Sequence, residues 1–510
     1  MSVLAIDAGT TGVTSLVITA DGGVAGRGYQ EFRQYYPNPG WVEHLPEDIW
    51  QAAVAAAAQA LDHAFSVRPG RPRTPPVTCL GVTNQRETAV VWDRATLAAP
   101  RRAIVWQDRR TARMCDALRE AGHEKRVSEV TGLRLDPYFT ATKLTWLSEH
   151  DPQIRSGLAD GTLVAGTVDS YLIARLTGGA AAVTDASNAS RTLLFDIRSG
   201  EWSAEMCELF GVPEQALPAV VPSIGVAGQT DPARFLGLAL PIAGVAGDQQ
   251  AALFGQACYS PGDLKCTYGT GSFVLANTGS SIPGPGDPGR ASGLLATVAW
   301  MDAAGQLTYA LEGSVFVTGA ALQWLRDGLG LLDNAAQSEA LALSVPDSGG
   351  VVFVPALTGL GAPDWDADAR GGVFGITRGT TRAHLVRATL EAIAFEVRDV
   401  VDVMLDTAGR RDRVLRADGG ASANNLLMQM QADGLQMPVE RPVVGETTAL
   451  GAAFLAGLAT GTWASEAELA STWKLDRRFS PGQGDDAAHA RWRSAVGRVR
   501  GWASDPPGRG

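Results

Sequence analysis

Cysteine and histidine are scarce in this 510-residue chain, which has five of the first and six of the second. Cys79, Cys115, Cys207, Cys258 and Cys266 form no C-x-x-C pair, and their number is odd. That spacing excludes a disulfide framework or a structural zinc as the organising device, and reduced thiols are expected. Long hydrophobic runs are missing too. The longest weakly polar stretch, near 236–247, is too short to cross a bilayer and contains Pro241, so no membrane insertion is expected. No basic segment precedes the apolar residues that begin at Val3, so no signal peptide is expected and the protein reads as cytoplasmic. Positive charge is in deficit, with 43 Lys and Arg against 54 Asp and Glu, a formal net charge of −11. This argues against a general nucleic-acid binder. A Walker loop and a Rossmann fingerprint are both absent, and no Ser-His-Asp arrangement stands out.

A hydrophobic content of 45% is ordinary for a globular protein and supplies a core for two units of roughly 250 residues. Strands are predicted over 2–6, 13–19 and 24–32, with the hairpin signal Asp21-Gly22-Gly23 between the last two. Further strands are expected at 80–82 and 89–92. The alanine-rich stretch 49–63 has helical spacing. In the second half a strand at 241–246 leads to Asp248 and a helix, followed by strands at 262–268 and 272–277 around the turn Gly269-Thr270-Gly271. That order repeats the opening of the chain. Apolar positions Val386, Leu390, Ile393, Val397, Val400 and Met404 predict a long helix over 384–405. A small-residue helix at 448–458 is expected to pack closely against another helix. The tail 505–510 is expected to fray.

Two short acid-bearing segments, Asp7-Ala8-Gly9-Thr10-Thr11 and Gly247-Asp248-Gln249-Gln250, head the two halves. Glycine turns let backbone N–H groups approach phosphate oxygens, and aspartates can hold the magnesium that accompanies a nucleotide. Thr270 and the Gly419-Gly420 turn followed by Asn424 add further turns of this kind. Asp248 is the leading candidate for a group that accepts a hydroxyl proton in phosphoryl transfer. The pair Arg86-Glu87 can donate to and accept from one neutral polyol, although an exposed loop pair is the commoner meaning of such a dipeptide. Trp106 and Phe273 are either an apolar wall or plain core. His44 is expected to be structural.

These residues stand in a recognisable order. The segments Pro39-Gly40-Trp41-Val42-Glu43-His44, Thr83-Asn84-Gln85-Arg86-Glu87-Thr88, Asp136-Pro137-Tyr138-Phe139 and Thr267-Tyr268-Gly269-Thr270-Gly271 join the two acid-bearing ones. Signature-like stretches also surround Lys143 and Trp146 and span 371–391. Together they resemble the FGGY carbohydrate kinases over nearly the whole chain, and within them the glycerol kinases. The resemblance implies an α/β protein of two ribonuclease-H-like domains, of the actin-like ATPase class, flanking a catalytic cleft. The expected division is 1–243, mainly for glycerol and the phosphate loop, and 244–510, mainly for nucleotide. It implies ATP/ADP and Mg2+ as cofactors and sn-glycerol 3-phosphate as product. By similarity Arg86, Glu87, Trp106, Tyr138, Asp248, Gln249 and Phe273 would hold glycerol. Thr10, Thr11, Gly12, Thr270, Gly319, Gln323, Gly420 and Asn424 would meet the nucleotide. Asp248 would be the general base, and Asp7 with Asp248 would hold the metal. A homo-oligomer, dimer or tetramer, is usual in such proteins. Departures are Thr14 in place of an arginine, Gly12 in place of a serine, and a 230–235 loop that lacks two regulatory sequences. A kinase for another small polyol and a nucleotide-binding protein without catalysis are the competing readings.

Overall fold

The computed structural model describes residues 1–66, 74–284, 286–408 and 413–503. The hairpin signal does what its glycines require: Gly22 takes a positive φ of 78°, and Thr19 N–H bonds to the Gly23 carbonyl at 2.9 Å. It joins β2 (Gly12–Thr19) to β3 (Val24–Glu31) beside β1 (Ser2–Ala8). With β4 (Val77–Asn84), β5 (Ile224–Gln229) and β6 (Pro241–Gly247) these make a six-stranded sheet in the order β5-β6-β4-β1-β2-β3. The β1–β2–β3 meander is antiparallel, and β4 and β6 run parallel to β1. The predicted strand at 89–92 is real but sits elsewhere. It pairs as Val90–Asp93 with Leu163–Gly166 in a separate two-stranded sheet.

The second sheet repeats the pattern. Its strands are β7 (Leu264–Tyr268), β8 (Ser272–Gly279), β9 (Leu295–Met301), β10 (Leu307–Val315), β11 (Leu415–Asp418), β12 (Val439–Pro442) and β13 (Leu475–Phe479). They run in the order β9-β10-β8-β7-β11-β12-β13. Again three antiparallel strands, β7, β8 and β10, here with β9 inserted before β10 and paired on its outer edge, are continued by two parallel strands, β11 and β12, and by an antiparallel edge strand, β13. The repetition expected from element order is therefore present in the topology. The residues at 243 and 244 both lie inside β6, the strand that completes the parallel part of the first sheet.

Helices cover the sheets as their composition demands. α1 (Pro46–Phe65) lays its alanines over β2 and β3, with Ile49, Ala53, Ala56, Ala57 and Ala60 fully buried. α2 (Asp248–Gly255) follows β6 directly, so Asp248 opens a helix that faces the end of the sheet. α3 (Arg382–Ala408) buries Val386, Leu390, Ile393, Val397 and Val400 in the core of the second sheet. α4 (Thr447–Thr460) comes late in the chain yet packs on β1, β4 and β6 of the first sheet and on α2. Its contact with α2 is at backbone distance. A Cβ at Gly451 would lie 1.8 Å from the Ala251 carbonyl oxygen, and one at Gly255 2.1 Å from that of Thr447. Glycine is therefore obligatory at both crossing points, which is the close packing that the small residues predicted. The arginine-rich C-terminal stretch forms the helix Asp486–Val499, and the tail 505–510, expected to fray, lies outside the described residues. All five cysteines are buried and free. Among the described residues no helix is long and apolar enough to cross a membrane.

Candidate active site

The end of β1, the end of β4 and the start of α2 converge, because β1, β4 and β6 are parallel neighbours that all finish on one edge. The turn after β1 brings Thr10, the turn after β4 brings Arg86 and Glu87, and α2 begins with Asp248. The matching turn of the second sheet, between β7 and β8, brings Gly269, Thr270 and Gly271 to the same place. A cavity of about 150 Å³ lies between them. It is lined by Thr10, Arg86, Glu87, Trp106, Tyr138, Asp248, Gln249, Thr270 and Phe273 among the residues expected from sequence, and also by Thr267. A larger cavity of about 460 Å³ lies elsewhere, around Leu264, Met404 and Arg413, and shares none of these groups.

Arg86 is the centre of the polar wall. Its Nε lies 3.0 Å from Asp248 Oδ1, and its two terminal nitrogens reach Glu312, Gln250 and the Tyr138 hydroxyl. Glu312 also accepts from Arg191 at 2.8 Å, and Arg191 Nε donates to Glu87 Oε1 at 2.8 Å. Two arginines and two glutamates are thus locked together with almost no exposure. Burial alone would raise the Glu312 carboxyl, but Arg191 and then Arg86 overcome it and hold it at about 2. Burial pushes the Glu87 carboxyl up, only partly offset by the same arginines. Glu87 also adopts a positive φ of 60°, an uncommon conformation that turns its side chain toward the cavity lining.

Trp106, Tyr138 and Phe273 together line one side of the cavity. Trp106 meets Tyr138 and Phe273 edge-on, with ring centroids 5.7 Å and 6.2 Å away. The Trp106 indole N–H also donates to Thr10 Oγ1 at 3.0 Å, tying this wall to the first glycine turn. Tyr138 is placed by its own N–H on Asp136 Oδ1 and by Lys143, whose ammonium donates to the Tyr138 and Phe139 carbonyls at 2.5 and 2.9 Å. His44 is buried and structural. Burial pushes it down to about 4, and its Nδ1 faces Gln85 Nε2, which donates to the Gly9 carbonyl behind the turn.

Asp7, at the end of β1, is pushed up to about 8, first by burial and then by the negative charges of Asp248 and Glu446. Thr11 and Gly12 follow on the same turn. A Cβ at Gly12 would lie 2.8 Å from both the Gln30 carbonyl and the Tyr29 hydroxyl, so Tyr29 occupies the room a serine there would need. Thr14 pairs across the sheet with both Asp7 and Tyr29. Gly319 N–H bonds to the Gly269 carbonyl at 3.0 Å, which sets it beside Thr270. Gln323, Gly420 and Asn424 do not line the cavity. Gln323 is exposed on the helix Gly319–Asp327, and Asn424 caps the helix Asn425–Leu435 by accepting from Leu427 N–H at 2.9 Å. The sequence reading missed Arg191, Glu312 and Lys265. The available signal, for two of the three, was a single charged residue inside an otherwise uncharged strand, Glu312 in β10 and Lys265 in β7.

Comparisons with known proteins agree with this geometry. The model for the FGGY family of carbohydrate kinases, N-terminal domain, matches residues 2–255, and that for the C-terminal domain matches 264–460. The chain is 54% identical to a glycerol kinase of Symbiobacterium thermophilum over 507 residues, 99% of each chain. It is 52% identical to glycerol kinase 2 of Thermotoga maritima over 503 residues, 98% of this chain and 99% of that one. Among solved structures, glycerol kinase of Plasmodium falciparum with ADP superposes with a TM-score of 0.85 at 33% identity, covering 98% of both chains. A xylulose kinase of Rhodospirillum rubrum superposes with a TM-score of 0.80 at 25% identity, again over 98% of both.

Proposed function

The chain belongs to the FGGY family of carbohydrate kinases, and from that footing we propose that it phosphorylates glycerol with ATP to give sn-glycerol 3-phosphate. The observation that carries the reading is the pairing of Asp248 Oδ1 with Arg86 Nε at 3.0 Å inside a cavity edged by the Thr10 and Thr270 turns. One volume therefore holds a proton acceptor, a polyol-sized set of donors and acceptors, and two phosphate-type turns. Its relatives named glycerol kinase, at about half identity over the full chain, support the choice of polyol.

Each residue has a task in this mechanism. Arg86 donates to glycerol hydroxyls and Glu87 accepts from them, while Trp106, Tyr138 and Phe273 cover the carbon edge. A buried donor or acceptor left without its partner costs about 1–3 kcal/mol, so analogues lacking a hydroxyl are rejected. Asp248 takes the proton of the attacking hydroxyl as its oxygen bonds to the γ-phosphorus and the bond to the β-phosphate oxygen breaks, releasing ADP. Thr10, Thr11, Gly12 and Thr270 lie along the phosphates. Gly319, Gln323, Gly420 and Asn424 serve the nucleoside end, farther from the cavity. The first unit then carries mainly glycerol and the second mainly nucleotide.

The residues present suit Mg2+. Burial and then the negative charges of Asp248 and Glu446 push the Asp7 carboxyl up to about 8, and a cation held by Asp7 and Asp248 would offset both causes. Magnesium takes one or two carboxylates and fills its shell with waters and phosphate oxygens, and it would supply charge neutralisation on the transferring group. The test is a coupled assay of ADP release with glycerol and a panel of small polyols. Turnover highest with glycerol supports the reading. A stronger response to another polyol moves the substrate, and no turnover with any polyol removes the kinase.

A further inference from the structure

Lys265 is wholly buried on β7, yet among the described residues its ammonium hydrogen-bonds two groups that both line the active-site cavity. Nζ donates to Gln249 Oε1 at 2.5 Å and to Thr267 Oγ1 at 2.9 Å. An ammonium group has only donors to offer, so both oxygens must act as acceptors toward it. For Gln249 this decides which way the amide faces, with the oxygen bound to Lys265 and the NH2 left as the donor to other partners. For Thr267 it turns the hydroxyl proton away from the lysine. Without this ammonium the amide could present either end, and the hydroxyl could rotate.

We propose that Lys265 is a positioning residue for the polyol, fixing Gln249 and Thr267 as hydrogen-bond donors on the cavity wall. The inference rests on the polyol-kinase reading and adds the device that sets the polarity of the site. Arg86, Gln249 and Thr267 then form a donor side, and Glu87 and Asp248 an acceptor side. A neutral hydroxyl between them accepts from one side and donates to the other, which is the pattern a polyol satisfies. A methionine would fill the same space without burying a charge, so the lysine is explained by its hydrogen bonds rather than by packing.

The test is a double-mutant cycle on the full chain with Lys265→Met, Gln249→Ala and the pair, varying glycerol and ATP separately. Lys265→Met is expected to raise the glycerol KM by about tenfold with the ATP KM within about twofold, and to add clearly less once Gln249 is alanine, when only the Thr267 contact is left to lose. A glycerol KM within about twofold of the parent in a variant with unchanged melting overturns the inference. Equal effects in both backgrounds also overturn it. Should Lys265→Met fold poorly, Gln249→Glu decides. It keeps an acceptor for Lys265 but removes the donor, so the same rise is expected, and an unchanged KM overturns the inference. The parent is assayed first: no turnover of any polyol overturns the kinase reading and the inference together, whereas an active parent with an unaffected variant counts against Lys265 alone.

Discussion

Arg86 faces two carboxylates with different tasks. Asp248 is partly open to the cavity, while Glu312 is sealed on the opposite side and fixes the guanidinium in place. Asp248→Asn keeps the shape but removes the proton acceptor. Turnover is expected to fall by about 10²–10⁴-fold with nucleotide binding retained, checked by steady-state kinetics beside calorimetric titration with ADP. Glu312→Gln leaves Arg86 and Arg191 short of a negative partner in the interior. A loss of about 3–5 kcal/mol in urea unfolding, with a raised glycerol KM, is the expected result. These two residues also mark the limit of what one sequence discloses. Asp248 stands next to a strand end among glycines and small residues, a local pattern that motifs capture. Glu312 is 226 residues from Arg86. Nothing local announces their partnership, because it arises only when β10 of the second sheet comes against the turn after β4. Arg191 was hidden for the same reason, with its partners 104 and 121 residues away. Arg86-Glu87, by contrast, was legible as a pair, although its commoner meaning as an exposed loop proved not to apply here.

At the scale of elements, the helix Thr140–His150 carries its lysine inward at the first turn, where Lys143 holds the carbonyls that place Tyr138. Burial pushes Lys143 down to about 7 from its ordinary 10.5. Between those values the unfolded chain binds a proton that the folded one lacks, so this group makes stability rise with pH across that window and opposes folding fully below it. Lys143→Met removes that slope. The urea midpoint of the parent relative to the variant is expected to climb between about pH 7 and about pH 10, and parallel profiles would contradict it. The α2–α4 crossing makes a second prediction. Gly451→Ala sets a methyl group against the Ala251 carbonyl at a distance no real contact reaches. The helices must part, α2 carries Asp248 with it, and both melting temperature and kcat should drop, as measured by calorimetry and assay. A variant with normal melting and normal kcat would show that the crossing tolerates separation. The sequence made the closeness of this packing legible through its small residues, but not the partner helix.

The whole molecule is one sheet pattern used twice, with the functional turns at matching ends. The turn after β1 and the turn after β7 both carry threonine between glycines, and the active cavity lies where they face each other. The repetition was readable as element order, since hairpin and strand signals are local. The crossing of α4 back onto the first sheet was not, because it reverses the order of the chain. That return makes the two units share a core through α2 and α4 rather than merely touch.

The position of Glu312 in the chain has a consequence for how the protein is made. Synthesis delivers Arg86 and Arg191 with the first sheet, well before β10 leaves the ribosome. During that interval the chain holds both guanidinium groups and Glu87, but not Glu312, the second carboxylate that the two arginines share. Burying the cluster without Glu312 would leave it short of one negative charge, unfavourable by several kcal/mol. The polar wall of the polyol pocket is therefore a joint product of the two units, complete only with a carboxylate that the second sheet supplies.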